Sequence, residues 1–209
     1  MRMGSEMPKQ FLEIGGKPIL RHTVERFLSA VEDLEIILVI HPDFRQYWKD
    51  YNRACDFLDR YILAEGGITR FHSVQNALKY VQDGSIVAIH DAVRPIVGTE
   101  LIRRLFAEAE TWPAVIPAVP VVDSLREISG DSSSPVDRSR FVCVQTPQVF
   151  QADVLKAAYR QAYSQVFTDD ASVVEAYGCQ VRLVPGEKTN IKITTREDLS
   201  LASALLCRG

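Results

Sequence analysis

The chain has 209 residues, 46% of them hydrophobic and 24% charged, and a formal net charge of −3. This composition is that of a soluble globular protein, and the acidic balance excludes a general attraction for nucleic acid or an anionic membrane. The four cysteines lie far apart, without a CxxC pair or a histidine at metal-ligand spacing, so neither a zinc site nor a disulfide framework is indicated. The N-terminus lacks the hydrophobic core of a signal peptide, and a cytoplasmic location is expected.

Apolar runs alternate with helical patterns along the chain. The runs are continuous rather than alternating, which is typical of strands covered on both faces. The predicted strands span residues 35–40, 85–90, 114–119, 141–145 and 180–184. The predicted helices span residues 18–30, 70–81, 99–111, 151–165, 170–177 and 196–206. This alternation predicts an α/β layer fold with a mostly parallel sheet, in one domain over residues 1–209.

Residues 121–140 interrupt the alternation. Gly130-Asp131-Ser132-Ser133-Ser134-Pro135 lies between two strand-like stretches, as in a hairpin with a long tip, and we interpret the segment as a projecting arm. An arm that cannot fold against its own core alone is expected to dock on a partner subunit. At its end, Arg138 offers the planar fork that suits a monophosphate, although a solvated basic turn is the alternative.

The first candidate site is the irregular N-terminal stretch, which contains Arg2, Gly4, Pro8 and Lys9 before the first predicted helix. An α/β fold binds phosphates at such a position. Two cations that converge on a triphosphate would neutralise the charge that develops on the attacked phosphorus. The alternative is a flexible, solvated terminus.

Two further candidate sites follow predicted strands. Gly66 and Gly67 form a turn before a helix whose first turn carries Arg70 and Ser73, where they would face a base or a phosphate. The alternative is a plain strand-to-helix turn capped by Thr69 or Ser73.

Asp91 and Arg94 come directly after the strand at 85–90, at the sheet edge that binds ligands in open α/β folds. An aspartate there would bind Mg²⁺ or ribose hydroxyls, and the alternative is a purely structural Asp91–Arg94 ion pair. His90 is expected to pack or to make a satisfied hydrogen bond, without a catalytic role.

Three more polar segments lie in connections between elements: Gln145-Thr146-Pro147-Gln148, Thr168-Asp169-Asp170-Ala171-Ser172 and Thr189-Asn190-Ile191-Lys192-Ile193-Thr194. Their hydroxyls and Lys192 are candidate phosphate contacts. The alternatives are a turn at Thr146 and helix caps at Thr168, Asp169 and Thr195.

Taken in order, these segments resemble one family across nearly the whole chain, the 2-C-methyl-D-erythritol 4-phosphate cytidylyltransferases of the non-mevalonate isoprenoid pathway. The motifs that carry the resemblance are Arg2-Met3-Gly4 with Pro8-Lys9-Gln10-Phe11, His90-Asp91-Ala92-Val93-Arg94-Pro95, Thr146-Pro147-Gln148, Thr168-Asp169-Asp170-Ala171-Ser172 and Asn190-Ile191-Lys192. Each motif alone is weak, but five in the expected order make coincidence improbable.

The resemblance implies a Rossmann-like domain whose 121–140 arm interlocks two subunits in a homodimer. It also implies Mg²⁺-dependent attack of a sugar-alcohol phosphate on the α-phosphorus of CTP, with release of pyrophosphate and no covalent enzyme intermediate. The catalytic residues implied are Arg2, Lys9, Arg138 and Lys192, with Arg138 reaching the partner's site. The CTP-binding residues implied are Lys9, Gly67, Arg70, Ser73 and Asp91, with Asp91 also a metal ligand. The acceptor-binding residues implied are Asp91, Arg94, Ser124, Arg138, Thr146, Thr168 and Lys192.

The chain departs from the family at its start, because the family has a strand and a glycine-rich loop ahead of the Arg2-Met3-Gly4 stretch. We therefore expect that about twenty residues, one strand and one phosphate-cradling loop, precede this chain. Strands next to that one would lack a ladder partner. The alternative is a form of the protein that binds CTP poorly.

Two rival functions remain open from the sequence. A ribitol-5-phosphate cytidylyltransferase would share the fold and the CTP chemistry, and a pocket separates substrates that differ by one methylene by only about 1–3 kcal/mol. The arm sequence favours methylerythritol phosphate. The second rival is a non-catalytic nucleotide-binding or assembly subunit.

Overall fold

The structure is a computed structural model that describes residues 7–206. The strands are β1 (Glu13–Ile14), β2 (Lys17–Pro18), β3 (Ile37–Ile40), β4 (Ile62–Glu65), β5 (Ile86–Ile89), β6 (Ala114–Pro120), β7 (Leu125–Ser129), β8 (Ser132–Val136), β9 (Val142–Val144), β10 (Gln148–Gln151) and β11 (Arg182–Pro185). The helices are α1 (Ile19–Ala30), α2 (Arg45–Cys55), α3 (Arg70–Ala77), α4 (Thr99–Thr111), α5 (Ala152–Ala158), α6 (Asp170–Ala176) and α7 (Arg196–Leu206). None of these helices is long and apolar enough to cross a membrane.

The main sheet has the strand order β11-β6-β10-β5, and β9 pairs with the end of β6. β11 is parallel to β6, whereas β10 is antiparallel to both β6 and β5. β5, β6 and β11 therefore run in one direction, with a single reversed strand between β5 and β6. Helices flank the sheet, which confirms the predicted α/β class.

Helix α4 shows how the sequence pattern produces this layering. Its apolar residues recur at helical spacing, and Leu101, Ile102, Leu105 and Ala109 are all buried. They pack with Val115 of β6 and Val149 of β10, so the helix covers one face of the sheet. A second cluster around Phe71, Phe150 and Leu155 contains residues of β10, α3, α5 and α6.

Strands β3 and β4 form a separate parallel pair. Among residues 7–206, β3 pairs only with β4 and β5 pairs only with β10, so each has one edge without a ladder partner. The two strands line a common cavity of about 600 Å³, together with α1 residues such as Val24 and Phe27.

Most predicted elements lie where the sequence places them, but several differ. The helix predicted at 151–165 ends at Ala158, and α3 continues beyond Ala77 only as a 3₁₀ turn, Leu78–Tyr80. The hairpin in the 121–140 segment has a short Gly130–Asp131 turn instead of a long tip, because the serines form strand β8. The sequence interpretation missed five elements: helix α2 and strands β1, β2, β4 and β10.

Candidate active site at the carboxyl ends of the strands

Asp91 lies just past the end of β5 and forms the centre of a charged cluster. Its Oδ2 accepts hydrogen bonds from Arg94 Nε and Lys192 Nζ, each at 3.1 Å. Burial pushes the pKa of Asp91 upward, but the charges of Lys192 and Arg94 outweigh that effect and hold the pKa below its usual range. Asp91 is therefore an anion that aligns two cations at the ligand-binding edge of the sheet.

Hydrogen bonds to Thr146 and His90 hold the segment that carries Asp91 in place. The Asp91 backbone N–H donates to Thr146 Oγ1 at 3.0 Å, and Thr146 Oγ1 lies 3.0 Å from His90 Nδ1. His90 Nε2 lies 3.2 Å from the carbonyl oxygen of Arg94. A carbonyl oxygen can only accept, so the proton of the neutral His90 ring lies on Nε2, and Nδ1 accepts from the Thr146 hydroxyl. Burial lowers the pKa of His90 to about 4, so the ring is neutral and structural, as predicted.

Lys192 lies on a loop whose position depends on buried amides. Arg94 Nη1 donates to the carbonyl oxygen of Asn190 at 2.8 Å. The buried Asn190 side chain donates to the carbonyl oxygen of Thr146, also at 2.8 Å. The buried Gln145 donates to the carbonyl oxygen of Glu187 at 2.8 Å. These bonds place Lys192 beside Asp91 while its own side chain remains about half exposed, accessible to a ligand.

The loop after β4 brings Gly67 against the start of α3. Thr69 caps this helix by accepting from the His72 backbone N–H, which agrees with the structural alternative for Thr69. Ser73 Oγ accepts from the Gly67 N–H at 2.9 Å and donates to the Thr69 carbonyl oxygen at 3.0 Å. A Cβ on Gly67 would lie 2.5 Å from His72 Cβ, so only glycine fits. The Ser73 hydroxyl therefore shapes the loop.

Arg70 binds a carboxylate from another part of the chain. Its Nη1 and Nη2 donate to the two oxygens of Asp170 at 2.8 and 2.5 Å. Burial lowers the pKa of the Arg70 guanidinium, but Asp170 more than reverses that shift, and Asp91 contributes in the same direction. The cation is thus permanently charged and held at the site's edge.

Known proteins match this chain along nearly its whole length. The model of the 2-C-methyl-D-erythritol 4-phosphate cytidylyltransferase family matches residues 1–208. Relatives of that name from Bacteroides fragilis and Porphyromonas gingivalis are 50% and 48% identical. Each alignment covers 99% of this chain, and 94% and 92% of the relative respectively.

Solved structures agree. That of 4-diphosphocytidyl-2C-methyl-D-erythritol synthase from Anaerococcus prevotii aligns with a TM-score of 0.84 at 31% identity, covering 98% of this chain and 92% of that one. That of 2-C-methyl-D-erythritol 4-phosphate cytidylyltransferase from Thermus thermophilus aligns with a TM-score of 0.76 at 32% identity, covering 99% and 97%.

The chain belongs to the 2-C-methyl-D-erythritol 4-phosphate cytidylyltransferase family.

Within this cytidylyltransferase framework, Lys9 joins the site from the N-terminal side. It begins a 3₁₀ turn, Lys9–Phe11, and its Nζ donates to the carbonyl oxygen of Thr194 at 2.5 Å. Thr194 is two positions after Lys192, so Lys9 contacts the loop that carries Lys192. The other predicted N-terminal cation, Arg2, lies outside the described residues.

Three predicted acceptor residues are exposed. Arg138 lies in a 3₁₀ turn at the base of the arm and donates to the carbonyl oxygen of Val122. Ser124 and Thr168 are exposed, the first in the arm and the second just before α6. Thr146 differs, because it is buried, and the structure places its side chain beneath the site instead of in the pocket wall. It supports Asp91 through the hydrogen bond described above.

Asp91 is also the predicted metal ligand, and its surroundings fit Mg²⁺ in a limited way. Within residues 7–206, no group of three or more His, Cys, Asp or Glu side chains gathers around a common point. Both hydrogen bonds to the Asp91 carboxylate reach Oδ2, which leaves Oδ1 as an oxygen ligand. Mg²⁺ commonly keeps several waters and binds one or two carboxylates plus substrate phosphates. The residues present fit such a site, and they do not form an all-protein metal cage.

The sequence interpretation assigned no role to Asp170, Gln148 or Gln145, which are all buried. Gln148 Oε1 accepts from the backbone N–H groups of Asp170 and Ala171, and its Nε2 donates to Asp169. The available signal was the presence of polar residues beside apolar strands, in the Thr-Pro-Gln and Thr-Asp-Asp motifs. Whether such a polar side chain supports the site or contacts the ligand depends on its burial, and burial is set by the tertiary fold.

Proposed function

We propose that the protein transfers CMP from CTP to 2-C-methyl-D-erythritol 4-phosphate, giving 4-diphosphocytidyl-2-C-methyl-D-erythritol and pyrophosphate. The observation that carries this proposal is the family match over residues 1–208, with relatives of that name half identical over 99% of the chain. The charged cluster around Asp91 is consistent with this chemistry.

In the proposed reaction, an oxygen of the acceptor phosphate attacks the α-phosphorus of CTP. A new P–O bond forms as the bond from the α-phosphorus to its bridging oxygen breaks, and pyrophosphate leaves with that electron pair. Both reactants are anions, so the protein must bring them together and stabilise the charge, with little need for a general base. Among residues 7–206, the cations at the site are Lys9, Arg70, Arg94 and Lys192.

The proposed roles divide the site into two sides. Lys9 and Arg2 would stabilise the charge on the triphosphate, and Gly67, Arg70 and Ser73 would border the cytosine and ribose. On the acceptor side, Lys192 and Arg94 would contact the phosphate, with Ser124 and Thr168 lining the pocket. Lys192 is suited to this role because its side chain is 47% exposed while its partner Asp91 is only 15% exposed, so a ligand can reach the ammonium while the ion pair is kept.

Mg²⁺ is proposed as the cofactor, with Asp91 Oδ1 as its protein ligand. When bound, it would neutralise phosphate charge and orient the CTP phosphates. The protein's contribution is to keep Asp91 ionised, through Arg94 and Lys192, at the pH where phosphates are anionic. We expect turnover to stop with EDTA and to return with added Mg²⁺.

A homodimer is proposed through the 121–140 arm. The β7–β8 hairpin pairs only with itself among the described strands, and it and its flanks expose Val122 and Ile128 at 66% and 79%. A second copy would cover these side chains and would let Arg138 approach its neighbour's acceptor site. A cytoplasmic location is also proposed, because Cys55 and Cys143 are free, exposed thiols, which a reducing compartment preserves.

The test is pyrophosphate release from CTP and Mg²⁺ with either methylerythritol 4-phosphate or ribitol 5-phosphate as acceptor. Preferred turnover of methylerythritol phosphate is expected. Lys192→Met removes a positive charge that stabilises the transition state in this proposal, and it should reduce kcat/KM by about 100-fold or more. Lys188→Met is the matched control, since Lys188 is an exposed lysine on the same loop. Turnover of ribitol phosphate alone, or CTP binding without turnover, would overturn the proposal.

A further inference from the structure

The carboxylate of Asp170 is fully buried, at 0% exposure, at the first position of α6. Arg70 binds both of its oxygens, and the Tyr159 hydroxyl donates to Oδ1 at 2.5 Å. Gln148 fixes its backbone by accepting from the Asp170 N–H at 3.1 Å. A buried charge is tolerated only when it is paired and hydrogen-bonded, and here both conditions are met.

The Arg70 side chain is the exposed half of this ion pair. It is 40% exposed, whereas its partner is completely enclosed. A guanidinium has five N–H donors in a fixed fork, and Asp170 takes two of them. The pair is therefore asymmetric: the enclosed carboxylate, itself held by the Tyr159 hydroxyl, takes two of the guanidinium donors, and the other three are not used by Asp170.

The ion pair also connects the two proposed sides of the site. Arg70 begins α3, directly after the Gly66–Gly67 loop on the nucleotide side. Asp170 begins α6, directly after Thr168 on the acceptor side. A guanidinium on a flexible side chain loses rotamer freedom when it binds a ligand, and the bidentate pair removes that freedom in advance.

We propose that Asp170 is a positioning residue that holds the Arg70 guanidinium in place to bind the nucleotide, with Tyr159 and Gln148 fixing Asp170 in turn. This inference rests on the proposed function, because it assigns Arg70 to CTP. A purely structural pair, which joins α3 to α6, is the competing explanation. The two explanations differ in whether nucleotide affinity depends on Asp170 through Arg70.

The experiment measures CTP affinity by calorimetry, and thermal unfolding, for Asp170→Asn, Arg70→Met and the double variant. Asn has the size of Asp but directs an N–H₂ group at the fork, so the bidentate pair is lost. We expect CTP to bind at least tenfold more weakly in each single variant. In the Arg70→Met background, Asp170→Asn should produce no further loss of CTP affinity. Glu100→Gln, which removes an exposed ion pair with Arg103, is the matched control and should leave affinity unchanged.

Asp170→Asn removes a buried charge, and if that variant does not fold, Tyr159→Phe takes its place in the experiment. That variant deletes one hydrogen bond to Asp170 and keeps the Arg70 fork, and about a threefold loss of CTP affinity is expected. In active variants, KM for CTP should rise while KM for the acceptor stays within twofold. Folded variants with lower melting temperatures but unchanged CTP affinity overturn the proposal, as do additive losses in the double variant. Wild-type turnover tests the proposed function separately, since the affinities are measured without acceptor.

Discussion

Replacing Gly67 with alanine should damage the nucleotide side of the site, whereas the same change at its neighbour Gly66 should not. A Cβ at Gly67 would lie 2.5 Å from His72 Cβ, 2.7 Å from the His72 carbonyl carbon and 2.9 Å from Ser73 N. At Gly66, the nearest atoms are those of His41 at 3.6 Å, an ordinary contact. Two adjacent glycines thus provide a substitution and its matched control.

The expected magnitude follows from that overlap. Ordinary contact begins at 3.4 Å, so the Gly67 loop and the start of α3 must separate by about 0.9 Å. Two of the three clashing atoms are backbone atoms, which cannot rotate away. Overpacking of this kind costs about 1–3 kcal/mol, and a displacement of about 1 Å at a positioned site costs about 100-fold in rate. The Gly67 N–H to Ser73 Oγ hydrogen bond would be strained by the same movement.

The assay compares kcat/KM for CTP and urea unfolding of Gly67→Ala, Gly66→Ala and the unmodified protein. Gly67→Ala should lose about 100-fold in kcat/KM and about 1–3 kcal/mol of stability. Gly66→Ala should stay within about threefold in kcat/KM, since no atom must move. Equal effects of the two substitutions, or an active Gly67→Ala enzyme of normal stability, would refute the steric argument.

Three further predictions follow from the fold. Burial lowers the pKa of His90 from 6.5 to about 4, so as pH falls the unfolded chain takes up this proton first. The stability present above pH 6.5 is then lost between pH 6.5 and 4, about 3 kcal/mol in full. Urea midpoints at pH 7.5 and 5 should show a smaller pH-dependent loss in His90→Gln, and identical losses would contradict this assignment. Within residues 7–206, β3 and β5 each have one unpaired edge, whereas β6 is paired on both sides. Backbone amides of β3 and β5 should therefore exchange hydrogen faster than those of β6. Equal protection of the three strands would be inconsistent with that topology. Ile128→Asp should convert the proposed dimer to a monomer in light scattering, and an unchanged dimer would exclude the arm as the interface.

The sequence predicted the parts of the fold whose pattern is local. Helix α4 was predicted with the same bounds because its apolar residues recur at helical spacing, and Leu101, Ile102, Leu105 and Ala109 are buried. Helix α2 was missed because its sequence is strongly polar and only Trp48 and Asn52 are buried. Strand β10 was missed because its sequence has only Val149 and Phe150 between two glutamines, and its central position depends on pairing with β5 and β6, which is not a local property.

The candidate site divides in the same way. Asp91, Arg94 and Lys192 were predicted from strand ends and loops, and the structure brings Arg94 and Lys192 within hydrogen-bond distance of Asp91. The buried position of Thr146 and the pairing of Arg70 with Asp170 were not predictable, because each depends on segments that are distant in sequence. A motif indicates which polar residues matter, whereas tertiary contacts decide which of them reach the ligand.

The most direct test of the proposed reaction follows the oxygen atoms. Methylerythritol 4-phosphate labelled with ¹⁸O in its phosphate would be incubated with CTP, Mg²⁺ and the protein, and the products analysed by ³¹P NMR and mass spectrometry. Direct attack on the α-phosphorus predicts one ¹⁸O in the P–O–P bridge of 4-diphosphocytidyl-2-C-methyl-D-erythritol. It predicts no ¹⁸O in the pyrophosphate. Label in the pyrophosphate, or release of pyrophosphate without the labelled product, would contradict the account.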